Sequence, residues 1–384
     1  MKPYELIATA AFGLESQVAY ELKQLGYDDQ MVEQGRVRFR GSPLDIARVN
    51  LWLRVADRVQ LVVGDFPAPD FDSLYDGVKA LPWSELITRD AAIPVDGKSI
   101  KSRLTSVPAV QGVVKKAIVD ALGAQYGLAV LPETGARHRV QIALREDRAL
   151  VTLDTSGDGL HKRGYRDLVG AAPLKETLAA GLVSLTRWKM DRPFLDPFCG
   201  SGTIPIEAAL EALKRAPGFH RHFDAESFHF VPATAWQTAR AEARDVALKH
   251  KDLVIQGSDQ DPSAIALAQR HARRAGVADA VNFEVNPFGG LTLTEERGIV
   301  LTNPPYAARI GDAHEVEALY RAMGQKLRGF PQWGVYVLCG YDGFERLYGK
   351  VADKRRKLFN GQLRCDLHQY YAARPPRPPS STTG

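Results

Sequence analysis

The densest concentration of chemistry in the chain is the string Leu195-Asp196-Pro197-Phe198-Cys199-Gly200-Ser201-Gly202-Thr203-Ile204, in which an apolar run ends in an acid, two glycines follow and a helix-forming stretch begins. Gly200 and Gly202 allow a tight turn and a close backbone approach to a ligand, as in nucleotide-binding turns between a strand and a helix. The string contains neither the G-K-[ST] of a phosphate loop nor the G-x-G-x-x-G of a dinucleotide fold. An acid at the strand end repels phosphate and suits a cation. S-adenosylmethionine, with its sulfonium and α-ammonium, is a ligand of that kind. Glycines alone would fit a plain turn; the whole D-P-F-C-G-S-G-T string argues for a ligand.

Two further strand ends carry polar residues. Gly257-Ser258-Asp259-Gln260-Asp261-Pro262 places acids where a carboxylate can take both hydroxyls of a ribose. Asp261 before Pro262 reads as a helix N-cap, which leaves Asp259 for the ribose. Thr302-Asn303-Pro304-Pro305-Tyr306 closes a third strand. An aromatic amine is a poor nucleophile because its lone pair is delocalised into the ring. A methyl-transfer site must therefore hold the amine hydrogens with acceptors and aim the lone pair at the methyl. The Asn303 side-chain oxygen and the Pro304 carbonyl can be those acceptors, Pro305 stiffens the loop, and Tyr306 can stack on a flat base. No general base is required, since the proton can pass to water after attack.

Basic residues are dense before these motifs. Lys98, Lys101, Arg103, Lys115 and Lys116 occur without an acid over residues 97–119, and Arg137, Arg139, Lys162, Arg163 and Arg166 follow. Such a set suits phosphate contacts that position RNA without reading its sequence, or is simply a solvated face. Lys354-Arg355-Arg356-Lys357 precedes the apolar pair Leu358-Phe359 and can equally flank a strand. His220, His222 and His229 lack the Cys or carboxylate spacing of a metal site, so no metal is expected.

The elements that must position these residues follow from pattern. Tyr4–Ala8, a helix around Leu14–Leu25, Arg36–Arg40, a helix around Pro43–Val55 and Val59–Val63 give a βαββαβ-like rhythm. Val113–Leu122 reads as a helix, with Val140–Leu144 and Ala149–Asp154 as a strand pair. Thr155–Arg166 is a glycine-rich basic linker. Beyond it Phe194–Phe198, Leu253–Gln256, Val281–Val285, Gly298–Leu301 and Gly334–Cys339 are strands, and Ile204–Lys214 and Ser263–Ala275 are helices. That alternation predicts a doubly wound, mostly parallel sheet. Pro217–Trp236 interrupts the repeat as a long excursion, and Arg374–Gly384 is a Pro- and Ser-rich tail expected to be disordered.

Composition excludes other classes. At 384 residues, with 45% hydrophobic and 25% charged residues, the chain is neither fibrous nor wholly disordered, and two or three domains are expected. A net charge of +5 permits a polyanionic partner without demanding one. Cys199, Cys339 and Cys365 are isolated, which argues against a disulfide framework or zinc ribbon and fits a reducing cytoplasm. The N-terminus does not read as a secretory signal, and no run reaches the roughly 18 apolar residues of a membrane span.

Together with A-T-A-A-F-G-L-E-S at 8–16, N-L-W-L-R at 50–54, L-P-W at 81–83, H-K-R-G-Y-R at 161–166 and A-P-L-K-E-T-L-A at 172–179, the two motifs D-P-F-C-G-S-G-T-I-P-I-E-A-A and T-N-P-P-Y give a chain that resembles the THUMP-domain, class I S-adenosylmethionine-dependent RNA guanine-N2-methyltransferases of the RlmL/YpsC-like group. The resemblance implies an α/β architecture with a ferredoxin-like domain over 1–65, a THUMP RNA-binding domain over 66–160, a Rossmann-like seven-stranded methyltransferase domain over 161–373 whose last strand is antiparallel, and a tail over 374–384. It places Asp196, Gly200 and Gly202, with their neighbours Pro197, Phe198, Cys199, Ser201 and Thr203, against the methionine moiety, and Asp259 with Gln260 at the ribose. Pro173, Leu174, Lys175 and Glu176 would lie along the cofactor, and Asn303 to Tyr306 at the target base, with Asn303 also near the cofactor. Many relatives carry an Asp after the third strand to hold the adenine amine; this chain has Asn286-Pro287, so Asn286 or a backbone group would serve. The implied reaction is methylation of a guanine N2, with 23S rRNA as the expected substrate. A tRNA guanine-N2 or adenine-N6 enzyme is the alternative, and an RNA-binding ribosome-assembly factor is the non-enzymatic one.

Overall fold

The computed structural model describes residues 3–166, 174–249, 252–306 and 313–373. The chain divides into two compact units, Met1–Arg163 with Ala216–Val246, and Gly164–Arg215 with Ala247–Gly384.

The first unit contains, in order, β1 (Tyr4–Ala10), α1 (Glu15–Gln24), β2 (Gln30–Glu33), β3 (Arg36–Gly41), α2 (Pro43–Trp52), β4 (Ala56–Pro67), α3 (Phe71–Lys79), α4 (Trp83–Leu86), β5 (Val95–Ile100), α5 (Val107–Tyr126), β6 (Val140–Arg145) and β7 (Arg148–Asp154). Its strands form one sheet in the order β2-β3-β1-β4-β7-β6-β5. The 12-residue β4 is the shared strand: its first half pairs with β1 and its second with β7, with a register shift between Val62 and Gly64. The expected boundary at residue 65 therefore falls inside a strand. Period-two alternation is plain in β3, where Val37 and Phe39 are buried and Arg36, Arg38 and Arg40 point the other way. Ser42 and Asp45 form a reciprocal capping box with Pro43 at the first helical position, which is why α2 starts where it does.

The second unit contains α6 (Glu176–Thr186), β8 (Phe194–Asp196) and α7 (Thr203–Ala212). The chain then leaves it. The expected excursion runs through residues 216–246 as part of the first unit, ending in α8 (Ala233–Val246). Phe223 stacks on Trp236 with ring centroids 5.1 Å apart, and Arg48 of α2 grips Glu242 of α8 through Nε to Oε2 at 2.7 Å and Nη2 to Oε1 at 2.5 Å. The aromatics that looked anomalous in sequence are core residues of that segment.

The second unit resumes with β9 (Ile255–Asp259), α9 (Pro262–Ala275), β10 (Asn282–Val285), β11 (Gly298–Thr302), α10 (Ala313–Leu327), β12 (Trp333–Cys339), α11 (Phe344–Tyr348), β13 (Lys354–Asn360) and β14 (Leu363–Tyr370). Its sheet order is β10-β9-β8-β11-β12-β14-β13. The first five of these are parallel, whereas β14 runs antiparallel to both β12 and β13. Lys354–Lys357 thus opens an edge strand, where charged side chains discourage pairing with another chain. The order reverses between β8 and β11, and open parallel sheets bind ligands outside the carboxyl ends of the strands at such a switch point. Asp196 and Thr302 are the last residues of those two strands.

Candidate active site

Asp196 is 2% exposed at the end of β8. The Thr302 hydroxyl donates to its Oδ1 at 2.6 Å, and the Phe198 amide donates to the same oxygen at 3.2 Å. No ion pair to Asp196 occurs among the described residues. Burial pushes its carboxyl up to about 7, with the Asp259 charge adding to the rise and the Thr302 and Phe198 hydrogen bonds opposing it. A buried acid with no cation of its own fits a cationic ligand. Burial also pushes the Cys199 thiol up, helped by the charges of Asp196 and Asp259, so this cysteine stays protonated.

The glycine turn connects this acid to Asp259. Gly200 N–H donates to Asp259 Oδ2 at 3.0 Å and Asp261 N–H to Oδ1 at 3.0 Å, so each oxygen keeps a lone pair for a ribose hydroxyl. Asp261 caps α9 through Ser263, as its sequence context predicts. Gln260 is exposed. His271 Nδ1 lies 3.1 Å from the Ser201 carbonyl; a carbonyl only accepts, so Nδ1 carries the proton there. This hold on the turn, and the Tyr165 hydroxyl donating to Glu207 Oε1 of α7 at 3.0 Å, have no signal in the linear motif.

The two glycines differ. At Gly202, φ is +83° and a Cβ would lie 2.8 Å from Phe283 Cζ and 2.9 Å from Ala268 Cβ. At Gly200, φ is +50° and a Cβ would meet nothing within 4 Å. Gly202→Ala is expected to cost about 3 kcal/mol through strain and overpacking. Gly200→Ala is expected to cost only about 1 kcal/mol but to place a methyl in the open space beside the turn, weakening cofactor binding tenfold or more. Thermal melts and cofactor titrations of the two variants separate these effects. A Gly200→Ala variant with wild-type cofactor affinity would show that the open space is not the ligand's.

At the end of β11, Asn303 is half-buried and Pro304 buried. The Tyr306 hydroxyl donates to Asn303 Oδ1 at 3.3 Å, and the Tyr306 ring is only 4% exposed. The expectation of a ring free to stack on a base is therefore not met in this conformation: packing has buried it, and stacking requires it to swing out. Tyr320, fully buried on α10, donates from its hydroxyl to the Pro305 carbonyl at 3.0 Å and so pins the loop. Beneath it Val300, Val335, Val337, Val316 and Met323 form the core. Sequence reasoning missed Tyr320 because nothing local distinguishes it from other helical aromatics.

Among the described residues, the remaining expected cofactor residues have local partners of their own. Pro173 lies outside the described residues. Leu174 is buried, Lys175 is the exposed N-cap of α6, and Glu176 is buried with its Oε1 3.4 Å from Arg166 Nη1. Thr203 is the first residue of α7. Asn286 donates its backbone N–H to the Asp259 carbonyl at 3.0 Å and its side-chain amide to Glu284 at 3.3 Å, so its amide nitrogen is already engaged. Phe288 stacks on Phe198 at 5.1 Å close to this corner, an aromatic pair the motif reading did not include.

Among the basic residues, Arg163 needs correction. It is 4% exposed and donates to the carbonyls of Leu160 and Arg54, at 2.6 and 2.5 Å, so burial removes it from any phosphate-binding role. Arg166 donates to the Leu174 carbonyl at 2.8 Å and holds that segment instead. Lys115 is tied to Glu133 at 2.5 Å and the Ile93 carbonyl at 2.9 Å, Lys116 to Asp120, Arg137 to Asp224, Arg139 to Asp96 and Lys162 to Asp158. Lys98, Lys101 and Arg103 are exposed, Arg103 touching Asp147 at 3.3 Å.

A strand order reversing at β8 and β11, a glycine turn after the first strand, an acid after the second and N-P-P-Y after the fourth define the class I methyltransferase fold. Residues 163–369 match the RMKL-like methyltransferase domain, residues 5–60 the RlmL ferredoxin-like domain and residues 68–154 the THUMP domain. The chain is 47% identical over 380 residues, 98% of each protein, to "Putative RNA methyltransferase YpsC" of Bacillus subtilis (strain 168). It is 49% identical to a crystal structure from Listeria monocytogenes titled "predicted N6-adenine-specific DNA methylase", with a TM-score of 0.92 and 97% of each chain covered. It is 41% identical to "SMU.472, a putative methyltransferase complexed with SAH", a crystal structure, with a TM-score of 0.92, covering 98% of this chain and 100% of that one. The chain belongs to the RMKL-like methyltransferase family. Among the described residues, no helix is long and apolar enough to cross a membrane and no group of three or more His, Cys, Asp or Glu side chains could hold a metal ion.

Proposed function

We propose that this protein transfers a methyl group from S-adenosylmethionine to the exocyclic N2 of a guanine in RNA, with 23S rRNA as the substrate. The observation that carries the reading is the adjacency of β8 and β11. Their parallel register, Ile299 opposite Phe194 and Val300 opposite Leu195, brings Asp196, which has no ion pair among the described residues, and Asn303 to one sheet edge. The cofactor supplies an electrophilic methyl on a sulfonium. Asn303 Oδ1 and the Pro304 carbonyl accept the hydrogens of the amine and direct its lone pair, Tyr306 yielding its hydrogen bond to the incoming base. The N–C bond forms as the S–C bond breaks, and the amine proton leaves to water. Asp196 neutralises the cationic ligand, and Asp259 takes the ribose hydroxyls.

The THUMP match, the name of the Bacillus relative and the exposed Lys98 and Lys101 support RNA as the substrate. Labelled methyl transfer to purified rRNA and tRNA, followed by nucleoside analysis, tests the reading. N2-methylguanosine in 23S rRNA is the expected product. N6-methyladenosine, or label confined to tRNA, would replace the base or the RNA in this proposal, and RNA binding without transfer would favour an assembly factor. Changing Lys98→Glu together with Lys101→Glu should weaken RNA binding and reduce the slope of log affinity against log salt by roughly 1.5, the effect of two lost phosphate contacts. A wild-type slope would exclude both lysines from the interface.

A further inference from the structure

The N-P-P-Y motif begins one residue after Thr302, and that threonine points its chemistry back to the neighbouring strand rather than forward to the base. We propose that Thr302 is a positioning residue of the cofactor site, whose hydroxyl holds the Asp196 carboxylate ionised and in a fixed orientation; this rests on the reading of Asp196 as the cation-binding acid. Thr302 is fully buried and Asp196 nearly so, and the 2.6 Å bond between them has the length of a hydroxyl donating to a charged carboxylate. Both hydrogen bonds to Asp196 fall on Oδ1, from Thr302 and from the Phe198 amide at 3.2 Å. Oδ2 thus has no protein donor among the described residues. The bond to Thr302 sets the plane of the carboxylate and with it the direction in which Oδ2 faces.

The same bond controls charge. The charged group that acts on Asp196 is the like-charged Asp259 at the end of β9, which adds to the effect of burial, and among the described residues no cationic side chain opposes them. Thr302 is the stronger of the two groups that stabilise the ionised form, the Phe198 amide the other. Without the hydroxyl the acid is pushed further up, and a protonated Asp196 has no charge with which to offset a cation's.

The test is calorimetric titration of S-adenosylmethionine into the full-length wild-type protein and into Thr302→Val and Thr302→Ser from pH 6.5 to 9. Thr302→Val keeps the shape and removes the donor; it should bind about tenfold more weakly at pH 7, the worth of a hydrogen bond to a charged group. The ratio of variant to wild-type affinity should return toward one as the pH approaches 9, where ionisation is forced. The ratio is the informative quantity because the ligand's α-ammonium titrates in this range too and cancels from it. Thr302→Ser should follow the wild type throughout. A Thr302→Val deficit of the same size at every pH, or no deficit, overturns the proposal, as does a Thr302→Ser variant that behaves like valine. If Thr302→Val fails to fold, Thr302→Ala provides the same comparison with a cavity in place of a methyl. Failure of the underlying reading looks different: the wild type itself would not bind the cofactor at any pH.

Discussion

Asn303→Ala is expected to lower methyl transfer about 100- to 1,000-fold while cofactor affinity stays within a few-fold of wild type. In the proposed reaction the side-chain oxygen is the acceptor that restrains the amine and directs its lone pair at the methyl, and an alanine leaves the Pro304 carbonyl to do that alone. Among the described residues that oxygen accepts from the Tyr306 hydroxyl at 3.3 Å, a long contact that a substrate amine can displace. Folding should be little affected, because Tyr320 anchors the loop through the Pro305 carbonyl independently of Asn303. Single-turnover transfer together with calorimetry of cofactor binding checks both halves. An unchanged transfer rate removes Asn303 from the chemistry.

Asp196→Asn should abolish detectable cofactor binding and, in the same protein, raise the stability of the cofactor-free fold at pH 8. The carboxyl lies at about 7 in the folded chain against an ordinary 3.8. A group raised on folding contributes its stability below the unfolded value and loses it as the pH climbs through the folded one. Between about pH 4 and pH 7 the free protein therefore loses on the order of 4 kcal/mol from this one acid. Asparagine carries no such burden. Both native hydrogen bonds fall on Oδ1, so one amide oxygen can accept from Thr302 and from Phe198 as the carboxylate does. Melting curves at pH 5 and pH 8 should show a shallower pH dependence for the variant, with its advantage confined to the higher pH. A variant less stable than wild type at pH 8 would mean that the fold, and not a ligand, supports the charge. Instability of this kind at a functional acid is the general pattern in which a site is assembled at the expense of the free protein.

Much of this was legible in the chain. The motifs at 195–204 and 302–306 are contiguous, and contiguity is what makes them readable: each is a single turn whose glycines, prolines and acid have local conformational reasons to be there. The parallel sheet was legible from the alternation of strands and helices after residue 190, and α9 from Asp261 and Pro262. The hairpin strand β2 was not, because Gln30–Glu33 buries no side chain and shows no apolar alternation. Strand β13 was ambiguous because an edge strand made of Lys354–Lys357 has the composition of a solvated loop. The excursion was visible only as a disturbance, since the partners of Trp236 and Glu242 that justify it lie at Phe223 and, far upstream, at Arg48.

The linear order of residues determines which groups are available, a turn with two glycines, two acids at strand ends and an N-P-P-Y loop, because each is encoded within a few neighbouring positions. Tertiary structure decides which of them meet. The Thr302 hydroxyl reaches Asp196 across 106 positions of chain, Gly200 reaches Asp259 across 59, and Arg163 disappears into carbonyls that only folding brings near. Ionisation, exposure and free lone pairs are properties of such long-range neighbours. The burial of Asp196 with no ion pair among the described residues is accordingly a property of the folded sheet edge, although the aspartate itself stands in plain view in the sequence.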